Sequence, residues 1–250
     1  MERKHRGFDV SVVMPCRNEE AAVVACIMNA RSFIEANSLT GEIIVADNAS
    51  TDASAELARA EGVRVISVLK TGYGRALRAG IRAARGKVII MGDCDTTYDF
   101  CDAKKLYKPL AEGTYDLMIG DRFAGGMEKG AMPLSHKLGV RVLSLLGRLR
   151  FNTDIHDFHC GLRGITKEAS DRLRFRTTGM EFATEMIAIA AKKGLKIGQE
   201  SVTLSKMRVK RRSKLHTIRD GCRHLSLIIH GKRMLYQFAR REINHGKQKA

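Results

Sequence analysis

Val88-Ile89-Ile90-Met91-Gly92-Asp93-Cys94-Asp95 is an apolar run of four residues closed by a glycine and two carboxylates. A run that short, rich in β-branched side chains and bounded by turn residues, reads as a strand buried on both faces. The same grammar recurs upstream. Val10 to Met14, Glu42 to Ala46 and Val63 to Val68 read as strands, and helical patterns fill the spaces between them at Glu19 to Glu35, from a cap at Ser50 or Asp52 to Glu61, and at Gly74 to Ala84. Buried strands alternating with helices predict an α/β fold, a mostly parallel sheet flanked by helices on both faces.

Sheets of this kind bind ligands beyond the carboxyl ends of their strands. The polar clusters fall there: Arg17-Asn18-Glu19 after the first strand, Asp47-Asn48 after the second, Lys70-Thr71-Gly72 after the third and Asp93-Cys94-Asp95 after the fourth. Asp93 and Asp95, two residues apart at a strand end, can share one hard cation that also binds substrate phosphates. Two solvated loop aspartates would give the same pattern, and it is the company of the other strand ends that favours a metal. Asp47 can accept hydrogen bonds from a base or ribose, while Asp52 reads as the helix cap. Lys70-Thr71-Gly72-Tyr73-Gly74-Arg75 enters a helix through a glycine-containing turn. Backbone N–H groups with Lys70, Gly74 and Arg75 there would suit a diphosphate, although the spacing is not that of a P-loop, and a plain helix start would look alike.

The second half is less regular. Leu117 to Gly120 and Lys196 to Leu204 read as strands, Leu134 to Leu149 and Glu181 to Lys193 as helices, and Phe151 to Gly164 as a polar loop rich in His and Asp. No internal repeat or linker stands out. We expect one domain over 1–205 and a basic C-terminal helical extension over 206–250.

The formal net charge of the 250 residues is +17, which favours polyanionic partners. Nucleic acid is the least satisfactory of these, because aromatic stacking clusters and binding motifs are missing and the acidic strand ends would go unexplained. The six cysteines form no CxxC pair and no zinc-like cluster with His. Neither a signal peptide nor a run of roughly 18 apolar residues is visible, so a cytoplasmic chain is expected, attached at most to a membrane surface. Aromatics are sparse and Trp is absent, so aliphatic residues and Met must fill the core.

Three of the segments above, Val13-Met14-Pro15-Cys16-Arg17-Asn18-Glu19-Glu20, Asp47-Asn48-Ala49-Ser50-Thr51-Asp52 and Gly92-Asp93-Cys94-Asp95, resemble the successive signatures of family 2 glycosyltransferases of the GT-A fold. Gly120-Asp121-Arg122-Phe123, Asp157-Phe158-His159-Cys160-Gly161-Leu162-Arg163 and Gly179-Met180-Glu181-Phe182 are similar to the polyprenyl-phosphate sugar synthases, such as the dolichyl-phosphate mannose synthases. The stretch from Lys214 to Leu225 is similar to the one that closes the catalytic domain in bacterial relatives. The resemblance implies an inverting hexosyl transfer from a UDP- or GDP-linked sugar, with Mg²⁺ or Mn²⁺, onto a lipid-linked phosphate, in glycan biosynthesis for the cell envelope. It implies Pro15, Arg17, Glu19 and Asp47 at the base and ribose, Asp93 at ribose or metal, and Asp95 at metal and diphosphate. Arg122 and Arg163 would lie near phosphates, and Asp157 and Glu181 near the transferred sugar.

The chain departs from that pattern at Cys94, Thr96-Thr97 and Cys160, and it shows no membrane-spanning run after Arg219-Asp220-Gly221. A soluble hydroxyl acceptor is therefore the alternative. It would need a general base, with Asp157 the first candidate and Glu181 the second. Structural roles are open to both, as a loop brace and a helix cap. His156 and His159 read as neutral loop histidines rather than metal ligands. The basic residues from Lys206 to Arg241, interleaved with Leu225, Ile228, Ile229, Leu235 and Phe238, would suit an anionic membrane face. A helix packed on the catalytic domain fits them equally well.

Overall fold

The computed structural model describes residues 7–207 and 219–231. The N-terminal hexapeptide and most of the basic tail, including Lys210 to Lys214 and Lys232 to Arg241, lie outside the described residues.

β1 (Val10–Cys16) pairs in parallel with β2 (Gly41–Asp47) on one side and β4 (Val88–Met91) on the other, and β2 pairs with β3 (Arg64–Ser67). The helices α1 (Val23–Ala36), α2 (Ser54–Ala60) and α3 (Tyr73–Ala83) connect them. β1, β2 and β4 are apolar runs too short for a helix and largely buried on both faces, so they are stable only with a layer on either side, whereas β3 at the sheet edge is half-exposed. The chain order reverses between β1 and β4, which opens a crevice at their carboxyl ends.

The sheet has seven strands in the order β3-β2-β1-β4-β6-β5-β7. β5 (Leu117–Asp121) and β7 (Ile197–Ser201) are parallel, but β6 (Arg163–Thr166) runs antiparallel to both β4 and β5. The segment expected as a loop to Gly164 thus ends inside a strand. β6 begins with an arginine and is four residues long, so no alternation marks it, and its partners rather than its own sequence make it a strand. α4 (Ala103–Ala111), α5 (Arg122–Gly125) and α7 (Lys167–Arg172) add short helices. α6 (Leu134–Phe151) and α8 (Phe182–Lys192) fall where expected.

The core is Trp-free and filled by aliphatics, Met14, Met91, Met118 and Met186, and the rings of Phe33, Phe100, Phe158 and Phe182. Each such side chain contributes on the order of 1.5–3 kcal/mol by leaving water. A last helix, α9, covers 219–231. It buries Leu227 and Ile228, and Arg150 of α6 donates from Nε to the Ile228 carbonyl at 3.1 Å. For these residues the tail is a helix docked on the body of the protein.

Candidate active site

A cleft of about 460 Å³ opens at the carboxyl ends of β1 and β4. Pro15, Arg17 and Glu19 line it from the β1 end, Asn48 from the β2 end, and Asp93 and Asp95 from the β4 end. Gly72 and Tyr73 face it from the start of α3, Thr178 to Met180 from the loop before α8, and Arg219, Asp220 and Arg223 from α9. A comparable cavity of about 420 Å³ is lined by Arg78, Arg82, Arg174 and Arg176, but no strand residue reaches it.

Backbone strain marks the same edge. Asn18, Ala49 and Thr96, just beyond β1, β2 and β4, hold φ of 50°, 56° and 65°. Left-handed backbone is costly for residues other than glycine, most of all for β-branched Thr96, and it persists only where the surroundings fix it. Here they do. Asn18 N–H donates to Ser50 Oγ at 3.0 Å and Asn18 Oδ1 accepts from Thr51 N–H at 2.8 Å. Glu19 N–H donates to Ser54 Oγ at 2.7 Å, and Glu20 N–H to Asp52 at 3.1 Å. These braces replace helix over residues 19–22, so α1 starts at Val23 rather than Glu19. The residue capping α2 is Ala53; Asp52 instead accepts from the N–H and hydroxyl of Ser54.

Asp93 and Asp95 sit together where expected. Tyr73 Oη donates to Asp93 at 2.9 Å, and Gly161 packs so closely on the Asp93 carboxylate that a Cβ there would collide with it. Burial and the neighbouring charge of Asp95 push the Asp93 pKa up to about 6. Asp95 accepts from Thr97 N–H at 3.1 Å and from Thr97 Oγ1 at 2.5 Å. Two crowded carboxylates in a cleft fit a hard cation, which would relieve their repulsion. Among the described residues no group of three or more His, Cys, Asp or Glu could hold a metal. A cation at Asp93 and Asp95 would therefore complete its shell with ligand oxygens and water.

The third strand end behaves differently from expectation. Asn48, not singled out by sequence, ties it in place: its Nδ2 donates to the Lys70 carbonyl at 3.2 Å and its Oδ1 accepts from Gly72 N–H at 2.7 Å. Gly72 has φ of 150°, and a Cβ there would run into the Thr178 carbonyl oxygen. At Gly74 a Cβ would meet the Thr177 carbonyl oxygen at 2.8 Å. These glycines let α3 approach the 177–179 loop. Lys70, Gly74 and Arg75 stand beside the cleft and are not part of its wall. Asp47 is buried just beneath it and accepts from Ser50 N–H at 3.3 Å.

The second half holds its charges behind the wall. Arg122 grips Asp157 with Nε at 2.6 Å and Nη2 at 2.8 Å, and both side chains are buried. His159 N–H takes a further place on Asp157 at 3.1 Å. With both oxygens occupied, Asp157 is not placed as a free base. Arg163 is buried too and donates to the carbonyls of Cys160, Ala183 and Phe158 at 2.6, 2.7 and 2.5 Å. It fastens β6 to the loop before it and to α8, and it does not face the cleft. Neither arginine is set to touch a phosphate.

Glu181 is different. It accepts from Gly179 N–H at 3.1 Å and from Arg223 Nη2 at 2.7 Å through Oε1, while its buried Oε2 has no hydrogen-bond partner among the described residues. It does not cap α8 with its side chain. Among the described residues the cations on the cleft wall are Arg17, Arg219 and Arg223. The last two were visible only within the stretch from Lys214 to Leu225, without individual roles. His159 Nε2 lies 3.2 Å from His224 Nδ1, which is 2.7 Å from Thr184 Oγ1. Burial and the nearby His224 keep His159 well below the usual histidine range, and burial brings His224 to about 4, so both are neutral near pH 7. His156 is exposed beside Asp121. Burial and Asp157 push the Cys160 thiol up to about 12, which suits an inert core residue.

Residues 11–174 match the family model described as glycosyl transferase family 2. The chain belongs to that family. Among its relatives is the low-salt glycan biosynthesis hexosyltransferase Agl6 of Haloferax volcanii, 34% identical over 88% of this chain and 53% of that protein. The chain thus spans about half the length of Agl6. The glycosyltransferase AglJ of the same organism is 32% identical over 85% of this chain and 68% of its own. A dolichyl-phosphate hexose transferase from that organism is 28% identical over 76% of this chain and 80% of its own. Among solved structures, glucosyl-3-phosphoglycerate synthase from Mycobacterium tuberculosis, in complex with Mn²⁺, UDP-glucose and phosphoglyceric acid, superposes with a TM-score of 0.70. The two share 23% identity over 90% of this chain and 79% of that one. The likeness establishes the GT-A fold for this family 2 glycosyltransferase.

Proposed function

We propose that the protein transfers a hexose, with inversion, from a nucleoside-diphosphate sugar to the phosphate of a polyprenyl lipid. The observation that carries the reading is the acidic pair Asp93 and Asp95 at the switch point of the sheet, sharing one cleft with Arg17, Arg219 and Arg223. Strand ends of this kind receive nucleotides; Pro15, Arg17 and Glu19 on the cleft wall, with Asp47 behind it, are the residues proposed to meet the base and ribose. The Mn²⁺ and UDP-glucose of the structural neighbour support a divalent cation, Mg²⁺ or Mn²⁺, held by Asp93 and Asp95. When bound it supplies electrostatic stabilisation of the departing diphosphate.

The acceptor phosphate oxygen attacks the anomeric carbon as the bond to the diphosphate oxygen breaks, and the nucleoside diphosphate leaves. A phosphate is already anionic near neutral pH and needs no proton removed. The occupied oxygens of Asp157 agree with base-independent chemistry, since a hydroxyl acceptor would need a free base within reach. Arg122 and Asp157 then act as a rigid support for the sugar side of the cleft, and Arg163 anchors β6 behind it. Glu181, buried behind the wall formed by residues 178–180, holds Arg223 at the cleft and so positions a cation there for the substrate. The name of the dolichyl-phosphate hexose transferase supports a lipid phosphate as acceptor.

The phosphoglyceric acid of the structural neighbour motivates a second reading, a small soluble acceptor. Incubation with a panel of UDP- and GDP-sugars and Mn²⁺ or Mg²⁺, with and without a polyprenyl phosphate, separates the two. Nucleotide release that depends on the lipid is the expected result. Release driven only by a soluble phosphate or hydroxyl compound would overturn the lipid reading and leave the transferase intact.

A further inference from the structure

We propose that the outward face of α6 is a membrane-binding surface that lies in the interface of an anionic lipid leaflet. On this helix Leu134, Leu138, Val142, Leu145 and Leu149 are between 49% and 82% exposed, and Leu146 is also exposed. At 100° per residue they form one continuous apolar stripe about 120° wide. The opposite side is already committed: Val140, Ser144 and Gly147 are buried, Ser144 Oγ accepts from Phe158 N–H at 3.1 Å, and a Cβ on Gly147 would meet the Phe158 ring at 2.7 Å. The stripe therefore cannot turn inward to find cover. Scattered exposed leucines are ordinary, whereas a periodic stripe on one helix is not.

Charge decides what covers it. From Lys129 to Thr153 the sequence holds no acidic residue, and Lys137, Arg141, Arg148 and Arg150 lie on α6 itself. Lys137, Arg141 and Arg148 fall along one edge of the stripe at that periodicity, Arg141 over the ring of Phe123 at 4.8 Å from its centroid. Long basic side chains bordering an apolar stripe can lay their stems on acyl chains and their charges among phosphates. A second copy docked face to face would bring the same cations against each other. The tail of this chain, with Lys232, Arg233, Arg240 and Arg241, carries the same sign and is a poor cover for the same reason. An anionic lipid surface is the complementary occupant.

The surface is also in a useful place. α6 packs on Phe158, next to Asp157 and Arg122, so a bilayer on its outer face would lie alongside the sugar side of the cleft. This purpose rests on the lipid-acceptor reading, but the surface itself does not, and its test uses vesicles that contain no polyprenyl phosphate.

Full-length protein is to be floated with neutral phosphatidylcholine vesicles and with vesicles carrying about 30% phosphatidylglycerol, at low and high salt. The expected result is recovery with the anionic vesicles only, weakened by salt. The triple variant Leu138→Asn, Val142→Asn, Leu145→Asn is expected to lower that recovery about fivefold or more, with an unchanged thermal melt and unchanged stabilisation by UDP-sugar and Mn²⁺. A second variant, Lys137→Ser with Arg148→Ser, is expected to lower binding to anionic vesicles while leaving the apolar stripe whole. Equal recovery with neutral vesicles, or vesicle binding by the triple variant equal to that of the parent, would overturn the proposal. So would light scattering that shows a dimer in the parent, a monomer in the triple variant and no lipid binding in either. Failure here with lipid-dependent nucleotide release intact would remove the surface and leave the proposed reaction standing.

Discussion

The two halves of the sheet carry acids to the cleft in opposite ways. At the end of β4, Asp93 and Asp95 line the cavity and crowd each other, with Tyr73 and Thr97 as their hydrogen-bond donors. In the loop before β6, Asp157 is wholly buried and gripped at both oxygens by Arg122. The first arrangement crowds two carboxylates at the cavity wall; the second neutralises its charge and spends it on rigidity. Acid content alone is thus a poor guide to chemistry, and the number of donors already satisfied is a better one.

Substitutions at the two sites should separate these roles. Asp95→Asn is expected to lower kcat/KM by about 10²–10³-fold, the scale of losing an electrostatic stabiliser of a developing charge. Its urea midpoint should stay within error of the parent. Asp157→Ala should do the reverse in stability, costing on the order of 3–5 kcal/mol because Arg122 is left buried and unpaired. Urea denaturation reads this directly. If Asp157→Ala keeps its stability and loses only turnover, the contrast between the halves collapses.

A weaker effect is expected from acid. His224 has a folded pKa of about 4 against an ordinary 6.5, so between these values the unfolded chain binds more protons than the native one. Stability from keeping His224 neutral is fully present above about 6.5 and falls as pH drops toward 4, by on the order of 2–3 kcal/mol. Asp93, raised to about 6, acts with the opposite sign, losing stability as pH rises through the window from 3.8 to 6. Comparing the parent with His224→Asn isolates the histidine: the variant should show a shallower loss between pH 6.5 and 4 in thermal melts. The smallest effect is expected at Arg223→Gln. The side chain is 42% exposed, so loss of its pair with Glu181 should cost about 1 kcal/mol or less in stability. A rise in acceptor or donor KM with little change in melting would place Arg223 on the functional side of the comparison.

Legibility followed the same divide. β1 to β4 could be read to within a residue or two because each is a short run rich in β-branched residues between polar clusters. Asp93, Asp95, Pro15, Arg17 and Glu19 could be read because they directly follow such runs. β6 could not: its sequence is Arg-Gly-Ile-Thr, and only the pairing with β4 and β5 makes it a strand. Asn48 had a signal, being next to Asp47 at a strand end, but its double tie to Lys70 and Gly72 spans more than twenty residues of chain. Arg122 and Arg163 show the limit from the other direction. Their motifs were visible, yet no local pattern tells whether an arginine will meet a ligand or three backbone carbonyls. The 208–218 and 232–250 stretches, whose charge dominated the composition, lie outside the described residues.

The placement of α9 has a consequence for biosynthesis. One wall of the cleft is made by residues 219–223, which come after the last strand of the sheet in chain order. A nascent chain can assemble the seven-stranded sheet and its acidic strand ends well before that wall arrives. The cleft is therefore walled on that side only once α9 has docked on α6.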